Sequence, residues 1–491
     1  MSERVTRRDL LQGTVAVVAG AGSTLGVWAP ISGAATPQPA SATGESAVEA
    51  ALRQRLAPIV AHHHVAGLGL AVTRSSSSAA LGMGSASLPF AVPVTPRTLF
   101  HIASVGKHFT ATAVLQLAGE QHFALDEPIG RHLTDIPDAW AARPIASLLH
   151  HTSGIPDYEG NEFDETKSHT RAEVIAAAAA KPMLFETGRT WAYSNMNYML
   201  LGWLIEAASG RPYAKYIAER VLQPAGLVDA RVDAAEEIIA NRAEPYLWQP
   251  SSRTYRHAIR MENAYSGYPD GPLLISAEDS LRWDTALANH RVLSPALWRT
   301  MLEPARLASG LSVPYASAWF VESTRGRAIH SHTGGLPGFT AFFLRMPESG
   351  VSVMVLTNVR LFGSRVQRYI GHLAAETVAP GSTMLSLTPA RDDRPDLTTA
   401  ARGILLRGNK PVARDALAPE LRLIVDGPSG ERGIANRPVD LTGEPTGFDF
   451  IEQRTLGSAT LRRYRMTYTD LVEHIVVGYT PEEKIYWVSP D

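Results

Sequence analysis

Ser104 and Lys107 stand three residues apart in the apolar stretch Leu99-Phe-His-Ile-Ala-Ser-Val-Gly-Lys-His-Phe-Thr-Ala-Thr-Ala-Val-Leu115. A helix here would put both side chains on one face, with the lysine amine against the serine hydroxyl in poorly solvated surroundings. Burial disfavours the charged amine and lowers its pKa. Such a lysine accepts a proton near neutral pH, and a serine needs an acceptor of that kind to become a nucleophile. The position is conspicuous because the chain holds 46 Lys and Arg residues but only six lysines, at 107, 167, 181, 215, 410 and 484. The competing reading is a lysine whose stem runs along the edge of a core helix, and Ser-x-x-Lys alone recurs by chance.

The elements that must position this pair are readable from periodicity. Residues 46–63 predict an amphipathic helix, followed by strands over Gly67–Thr73 and Ala79–Ser87. The Ser104 helix runs to about Glu120. A largely helical section to about 305 includes Arg171–Lys181, Asn195–Ala208, Pro212–Val221, Ala277–Asn289 and Pro295–Leu302. Ser276-Ala-Glu-Asp279 is a capping-box pattern, and Ser294-Pro295 sets an N-cap before a proline at the first helical position. Strands return at Ser317–Glu322, Ala328–His332, Phe339–Met346 and Val351–Asn358, the last two flanking the turn Pro347-Glu-Ser-Gly350, and a helix over Ser364–Val378 closes the unit. The fold class expected is therefore α/β, an antiparallel sheet built from both ends of the domain, flanked by helices and carrying a helical insertion. After a Pro-rich join, residues 396–491 predict a small α+β accessory module, similar to NTF2-like or cystatin-like folds, with strands at Thr446–Gln453, Ser458–Thr467, Val472–Gly478 and Lys484–Val488.

At 491 residues the chain is long enough for two domains. A formal charge of −2 gives no basis for nucleic acid or an anionic membrane as a partner. The absence of cysteine removes disulfides, thiol catalysis and cysteine-ligated zinc. Thr6-Arg7-Arg8-Asp9-Leu10-Leu11-Gln12 resembles a twin-arginine export signal, with a weakly apolar run to about Ala29 and small-residue cleavage candidates at Gly33-Ala34-Ala35 or Ala40-Ser41-Ala42. Residues 1–42 are thus expected to be a signal peptide. The hydrolytic domain is expected over 43–382, with a periplasmic or secreted address and no stable membrane span after signal removal.

Two motifs join the first. Trp191-Ala-Tyr193-Ser-Asn195 opens a helical segment, and His332-Thr333-Gly334-Gly335-Leu-Pro-Gly-Phe339 ends a strand and enters a tight turn. Ser-x-x-Lys, Tyr-x-Asn and His-Thr-Gly in this order resemble the serine β-lactamase and penicillin-binding superfamily, above all class C β-lactamases, D-Ala-D-Ala carboxypeptidases, D-aminopeptidases and related esterases. Leu148-Leu-His-His-Thr-Ser-Gly-Ile-Pro-Asp-Tyr158 and Gly271-Pro-Leu-Leu-Ile-Ser-Ala-Glu-Asp279 are similar to further stretches of that family. The resemblance implies an acyl-enzyme mechanism without metal or organic cofactor. Ser104 is then the nucleophile and Lys107 its proton acceptor. Tyr193 passes a proton to the leaving group, and Asn195 contacts both substrate and lysine; which group activates the deacylating water stays open, with Tyr193 the first choice. His332, Thr333, Gly334 and Gly335 line the substrate, with the N–H groups of Ser104 and Gly335 forming the oxyanion hole. A histidine at 332, where most β-lactamases carry lysine, shifts the expectation toward a peptidase, aminopeptidase or esterase acting on a small molecule or peptide. A penicillin-binding sensor that does not turn over and a class C-like β-lactamase are the alternatives, and neither exact substrate nor oligomeric state is legible.

Other residues invite chemistry less well. His62-His63-His64 suggests a metal set, but three consecutive helical residues point in three directions, so structural or solvent-facing histidines are expected. His150 and His151 are expected to shape a loop beside the site. Tyr158 and Phe339 fit either an acyl pocket or plain packing, Ser194 and Asn195 are N-cap types, and Gly427-Pro-Ser-Gly430 reads as a turn.

Overall fold

The computed structural model describes residues 46–75, 77–160, 163–164, 167–234, 236–258, 269–271, 273–361, 365–406, 411–427 and 445–490. The expected signal peptide and most of the Gly427–Gly430 turn lie outside the described residues.

Seven antiparallel strands form the main sheet in the spatial order Val92–Pro93, Ser77–Ser87, Gly67–Arg74, Val351–Thr357, Phe339–Met346, Arg327–Leu336 and Phe320–Thr324. Phe339–Met346 and Val351–Thr357 are buried along their whole length, because helices cover both faces and alternate residues enter different cores. Ala341, Phe343, Met354 and Leu356 pack with Val105, Phe109 and Trp283. Phe342, Leu344, Val353 and Val355 face the other way, onto Leu52 and Leu56 of the helix Ala47–His62 and Val366, Ile370 and Ala374 of the helix Arg365–Val378. The α/β sheet drawn from both ends of the domain, with its helical insertion, is thus observed.

Several details differ from expectation. The strand expected to stop at His332 runs to Leu336, since Gly334 pairs with Ala341 and Gly335 with Thr340. The edge strand lies at Phe320–Thr324 rather than 317–322, after a left-handed turn at Ala318 (φ 65). The helix over 212–221 breaks into Tyr213–Ile217, a wider π turn at Ala218–Leu222, and Gln223–Ala225. Ser276 caps its helix by accepting from the Asp279 N–H at 3.1 Å. The Asp279 carboxylate does not return that bond. It accepts instead from the N–H groups of Val228, Asp229 and Ala230 at 2.6–2.9 Å. Ser294 caps the following helix with Pro295 in the first turn, as its sequence requires.

The C-terminal residues form a four-stranded antiparallel sheet, Gly447–Leu456, Ala459–Thr467, Val472–Tyr479 and Ile485–Pro490, with helices Pro395–Leu405 and Pro419–Asp426. Leu397, Tyr464, Ile475 and Val477 belong to the same buried apolar cluster as Leu52, Phe342 and Ile370. The module is therefore packed onto the main sheet's covering helices rather than hung from a linker. Among the described residues no helix is long and apolar enough to cross a membrane.

Candidate active site

A three-stranded sheet of very short strands sets the position of Ser104. Phe100–His101 pairs with Leu273–Ile275, which pairs with Arg231–Val232. The Ile102 N–H then donates to the Leu273 carbonyl at 3.1 Å. Ala103 turns left-handed, with φ 48, a conformation that costs an alanine about 1–3 kcal/mol and persists only where packing enforces it. The enforcing contacts are backbone. A Cβ on Gly334 would stand 2.0 Å from the Ile102 oxygen, and one on Gly271 would stand 2.6 Å from the Ala103 carbonyl. Only glycine lets both segments close on this turn. The chain continues as a 3₁₀ turn, Ala103–Gly106, into the helix Lys107–Gly119. In a 3₁₀ turn side chains three apart eclipse, so the spacing of Ser104 and Lys107 becomes a contact. From Thr98 to Leu115 every residue is buried except Ser104.

Lys107 is wholly buried. Its Nζ lies 3.0 Å from Ser104 Oγ, 2.8 Å from Asn195 Oδ1 and 2.6 Å from the Asp270 carbonyl. Burial lowers its pKa, opposed by the negative charges of Asp270, Glu159 and Asp157. The partner set matters as much as the shift. The Asn195 and Asp270 oxygens only accept, so they take both N–H bonds of a neutral amine. The remaining lone pair is left facing the one partner that can donate, the Ser104 hydroxyl.

Asn195 is held from its backbone, where its N–H donates to Asp157 Oδ2 at 2.9 Å at the start of the helix Asn195–Ser209. Ser194, the N-cap residue, makes no side-chain cap bond; the carboxylate from a distant loop does that work. Tyr158 donates to Asp270 Oδ2 at 2.7 Å. Burial raises the carboxyl pKa of both Asp157 and Asp270.

The Tyr193 ring lies 5.2 Å from Lys107 Nζ. Burial pushes its phenol well above the ordinary range, against the influence of the nearby Ser104 hydroxyl, and no described residue meets hydrogen-bond geometry with its oxygen. His151 packs on it with ring centres 4.3 Å apart. His151 Nδ1 accepts the Ser194 N–H at 3.3 Å and faces Asn197 Nδ2 at 3.1 Å, which assigns its proton to Nε2. His332 is buried, not presented to solvent. Its Nδ1 donates to the Thr333 carbonyl at 2.6 Å, and Nε2 accepts from Tyr315 at 3.3 Å. Burial, aided by the Lys107 charge, drops its pKa to about 3, so it is a neutral imidazole beneath the site. Gly335 is exposed, and a Cβ there would meet nothing within 4 Å.

Ser104, Lys107 and Asn195 are thus directly bonded, with Tyr193 alongside. His332 lies 6.1 Å from Tyr193 between ring centres, and Thr333, Gly334 and Gly335 continue its strand. Tyr158 and Phe339 are both buried, Phe339 against His101 at 5.2 Å. Asp157, Asp270, Tyr315 and the contact of His151 with Tyr193 carry no pattern of their own in the sequence. Two of these, His151 and Asp157, lie in the stretch Leu148–Tyr158, and Asp270 immediately precedes the other noted stretch, so those stretches were the available signal.

A serine bonded to a buried lysine, at the head of a helix behind an antiparallel sheet, defines a serine hydrolase scaffold of the β-lactamase and penicillin-binding kind. The chain belongs to the Beta-lactamase family, whose sequence model matches residues 52–376. It is 30% identical over 282 residues to "Penicillin-binding protein 4*" of Bacillus subtilis (strain 168), covering 54% of this chain and 62% of that one. It is 27% identical over 308 residues to "Protein flp" of Staphylococcus aureus (strain N315), covering 60% of each. The match thus spans less than two thirds of these relatives' length. Among solved structures, D-amino acid amidase from Ochrobactrum anthropi SV3 superposes with a TM-score of 0.59 at 25% identity, covering 68% of this chain and 99% of that one. A penicillin-binding protein from Bacillus halodurans superposes at 0.58 and 24% identity, covering 66% and 99%, which bears on the fold alone.

Proposed function

We propose that the protein is an exported hydrolase that cleaves amides of D-amino acids through an acyl-enzyme on Ser104. The observation carrying this is the Ser104–Lys107 contact of 3.0 Å with both other lysine partners restricted to accepting. Lys107 takes the Ser104 proton as Oγ bonds to the scissile carbonyl carbon. The C–N bond breaks as the leaving amine takes the Tyr193 proton, and the Lys107 ammonium restores the phenol. Water then attacks the acyl carbon, giving its proton to the Lys107/Tyr193 pair, and that proton returns to Ser104 Oγ as the acid leaves. Asn195 and the Ser104 and Gly335 N–H groups orient and stabilise the carbonyl; losing one such oxyanion donor typically costs about 10²–10³ in rate.

The substrate preference rests on charge. Among the described residues the charged groups that bear on Lys107 are the acidic Asp270, Glu159 and Asp157, and His332 is neutral. That field suits a substrate with a free ammonium beside the scissile carbonyl better than one anchored by a terminal carboxylate, and the amidase of similar structure points the same way. The test compares kcat/KM for D-phenylalanine amide, its L enantiomer, a D-Ala-D-Ala peptide, a p-nitrophenyl ester and a chromogenic cephalosporin, with intact mass followed in parallel. Turnover of the D amide that vanishes in Ser104→Ala is expected. Equal behaviour of wild type and variant on every substrate overturns the mechanism, and a persistent serine adduct without turnover replaces it with a penicillin-binding sensor. Export rests on Arg7-Arg8, and a chain carrying R7K and R8K is expected to stay in the cytoplasm.

A further inference from the structure

The histidine run at the end of the first helix does not behave as helical periodicity dictates. His62 is the last helical residue, and His63 is the C-cap with φ −90 and ψ 11. The helix therefore ends between the two rings, and both can turn to one point. That point is Asp470, in the turn joining two strands of the C-terminal sheet, Ala459–Thr467 and Val472–Tyr479. His62 Nε2 lies 3.3 Å from Asp470 Oδ2, and His63 Nε2 lies 3.6 Å from the same oxygen. All three ligand atoms lie within 4.8 Å of one another. His64 takes no part; it turns left-handed (φ 52) and stacks on Trp248 at 3.7 Å.

We propose that His62, His63 and Asp470 form a site for a divalent transition-metal ion, zinc above all, that fastens the first helix to the C-terminal sheet. Ligands about 2.0–2.2 Å from a tetrahedral zinc stand roughly 3.3–3.6 Å apart, which is the spacing of both nitrogens from the carboxylate oxygen. The 3.6 Å contact leaves the buried His63 Nε2 without a hydrogen-bond partner, an atom that a metal would satisfy. His62 is 62% exposed, so an ion reaches the set from a cleft of about 230 Å³ and keeps a position open for water. Arg360 lines the same cleft and Arg253 acts on the adjoining His64. Those guanidinium charges oppose any divalent ion alike, so the choice of metal rests on the ligands: two imidazoles and one carboxylate suit zinc, cobalt or nickel over magnesium or calcium.

The test uses tag-free protein stripped with a chelator. Zinc is titrated calorimetrically, and cobalt is titrated with its visible d–d absorption as readout. One equivalent is expected to bind with a micromolar or tighter Kd and to raise the thermal midpoint. His63→Ala and Asp470→Asn are each expected to weaken binding at least tenfold and to abolish the thermal shift, whereas His122→Ala, at an exposed position far along the chain, leaves both unchanged. Asp470→Asn keeps the shape of the turn, so a folding defect in one variant does not decide the result. Absence of saturable binding, or binding equal in wild type and both site variants, overturns the proposal. Because the readouts are affinity and melting, the outcome is independent of whether Ser104 turns over an amide.

Discussion

Lys107 and Tyr193 divide the proton chemistry by opposite responses to the same burial. Burial favours the neutral amine and the neutral phenol alike, so the resting pair holds one acceptor and one donor. Activity therefore depends on Lys107 losing its proton. The profile of kcat/KM is expected to rise with pH through an ionisation below the ~10.4 of ordinary lysine, and to show no step near the usual histidine value, because His151 and His332 are both held neutral far below it. Lys107→Arg, permanently charged, is expected to lower kcat/KM by about 10²–10⁴. Tyr193→Phe separates the donor role. It is expected to cost about 10²–10⁴ on an amide, whose leaving amine must be protonated, and far less on a p-nitrophenyl ester, whose leaving group departs as an anion. Equal losses in kcat/KM, which reports acylation alone, would assign Tyr193 to orientation in that step. The serine and lysine were legible in sequence because a spacing of three survives in any helical turn. Asp157 and Asp270 were not, since loop residues carry no periodicity, and their importance arises only when the Asn195 N–H meets the Asp157 carboxylate and Lys107 the Asp270 backbone carbonyl in space.

The strand Arg327–Leu336 shows what a sequence pattern hides at the level of an element. Adjacent glycines argue for a turn because each weakens a strand, yet here the ladder continues through both. They serve different ends. Gly334 faces the Ile102 carbonyl, where a Cβ would be 2.0 Å away, whereas a Cβ on Gly335 would enter open space. Gly334→Ala is expected to displace the Ser104 turn, lowering stability by about 1–3 kcal/mol as overpacked sites do, together with activity. Gly335→Val is expected to unfold at nearly the wild-type midpoint while losing activity, because its side chain occupies substrate space. Thermal melts set beside kcat/KM for the two variants check this, and a Gly335 variant that melts early would show the strand, not the substrate, to need that glycine. The two- and three-residue strands Phe100–His101 and Leu273–Ile275 escaped reading for another reason: alternation cannot be recognised over so few residues, although they fix the nucleophile.

Across the whole molecule, the α/β scaffold and the four C-terminal strands were legible because each strand is long enough to alternate, while the docking of one on the other was not. Docking is a matter of which outward faces match. Trp487 of the last strand meets the Trp191 ring at 4.9 Å, two residues from Tyr193, so the C-terminal sheet bears on the candidate site through a contact no local pattern encodes. The same packing buries imidazoles in every part of the protein. His108, His151 and His332 lie around the site and His474 in the C-terminal sheet, each no more than 2% exposed. Burial holds all four pKa values below 6.5, with His332 at about 3. The unfolded chain takes up these protons as pH falls through about 6.5, while the native state does not. Stability is thus fully present above that pH and declines below it, by up to ~1.4 kcal/mol per pH unit for each histidine. Urea unfolding across the range from about pH 7.5 to about pH 5 is expected to show this fall as a declining midpoint. In His108→Phe, which keeps a flat ring where the imidazole stacks on Trp319 at 3.7 Å, the slope is expected to shrink by up to one proton. A slope unchanged by that variant would show that His108 takes up no extra proton on unfolding and leave the fall to His151, His332 and His474, and a stability that does not fall at all would overturn the argument for all four.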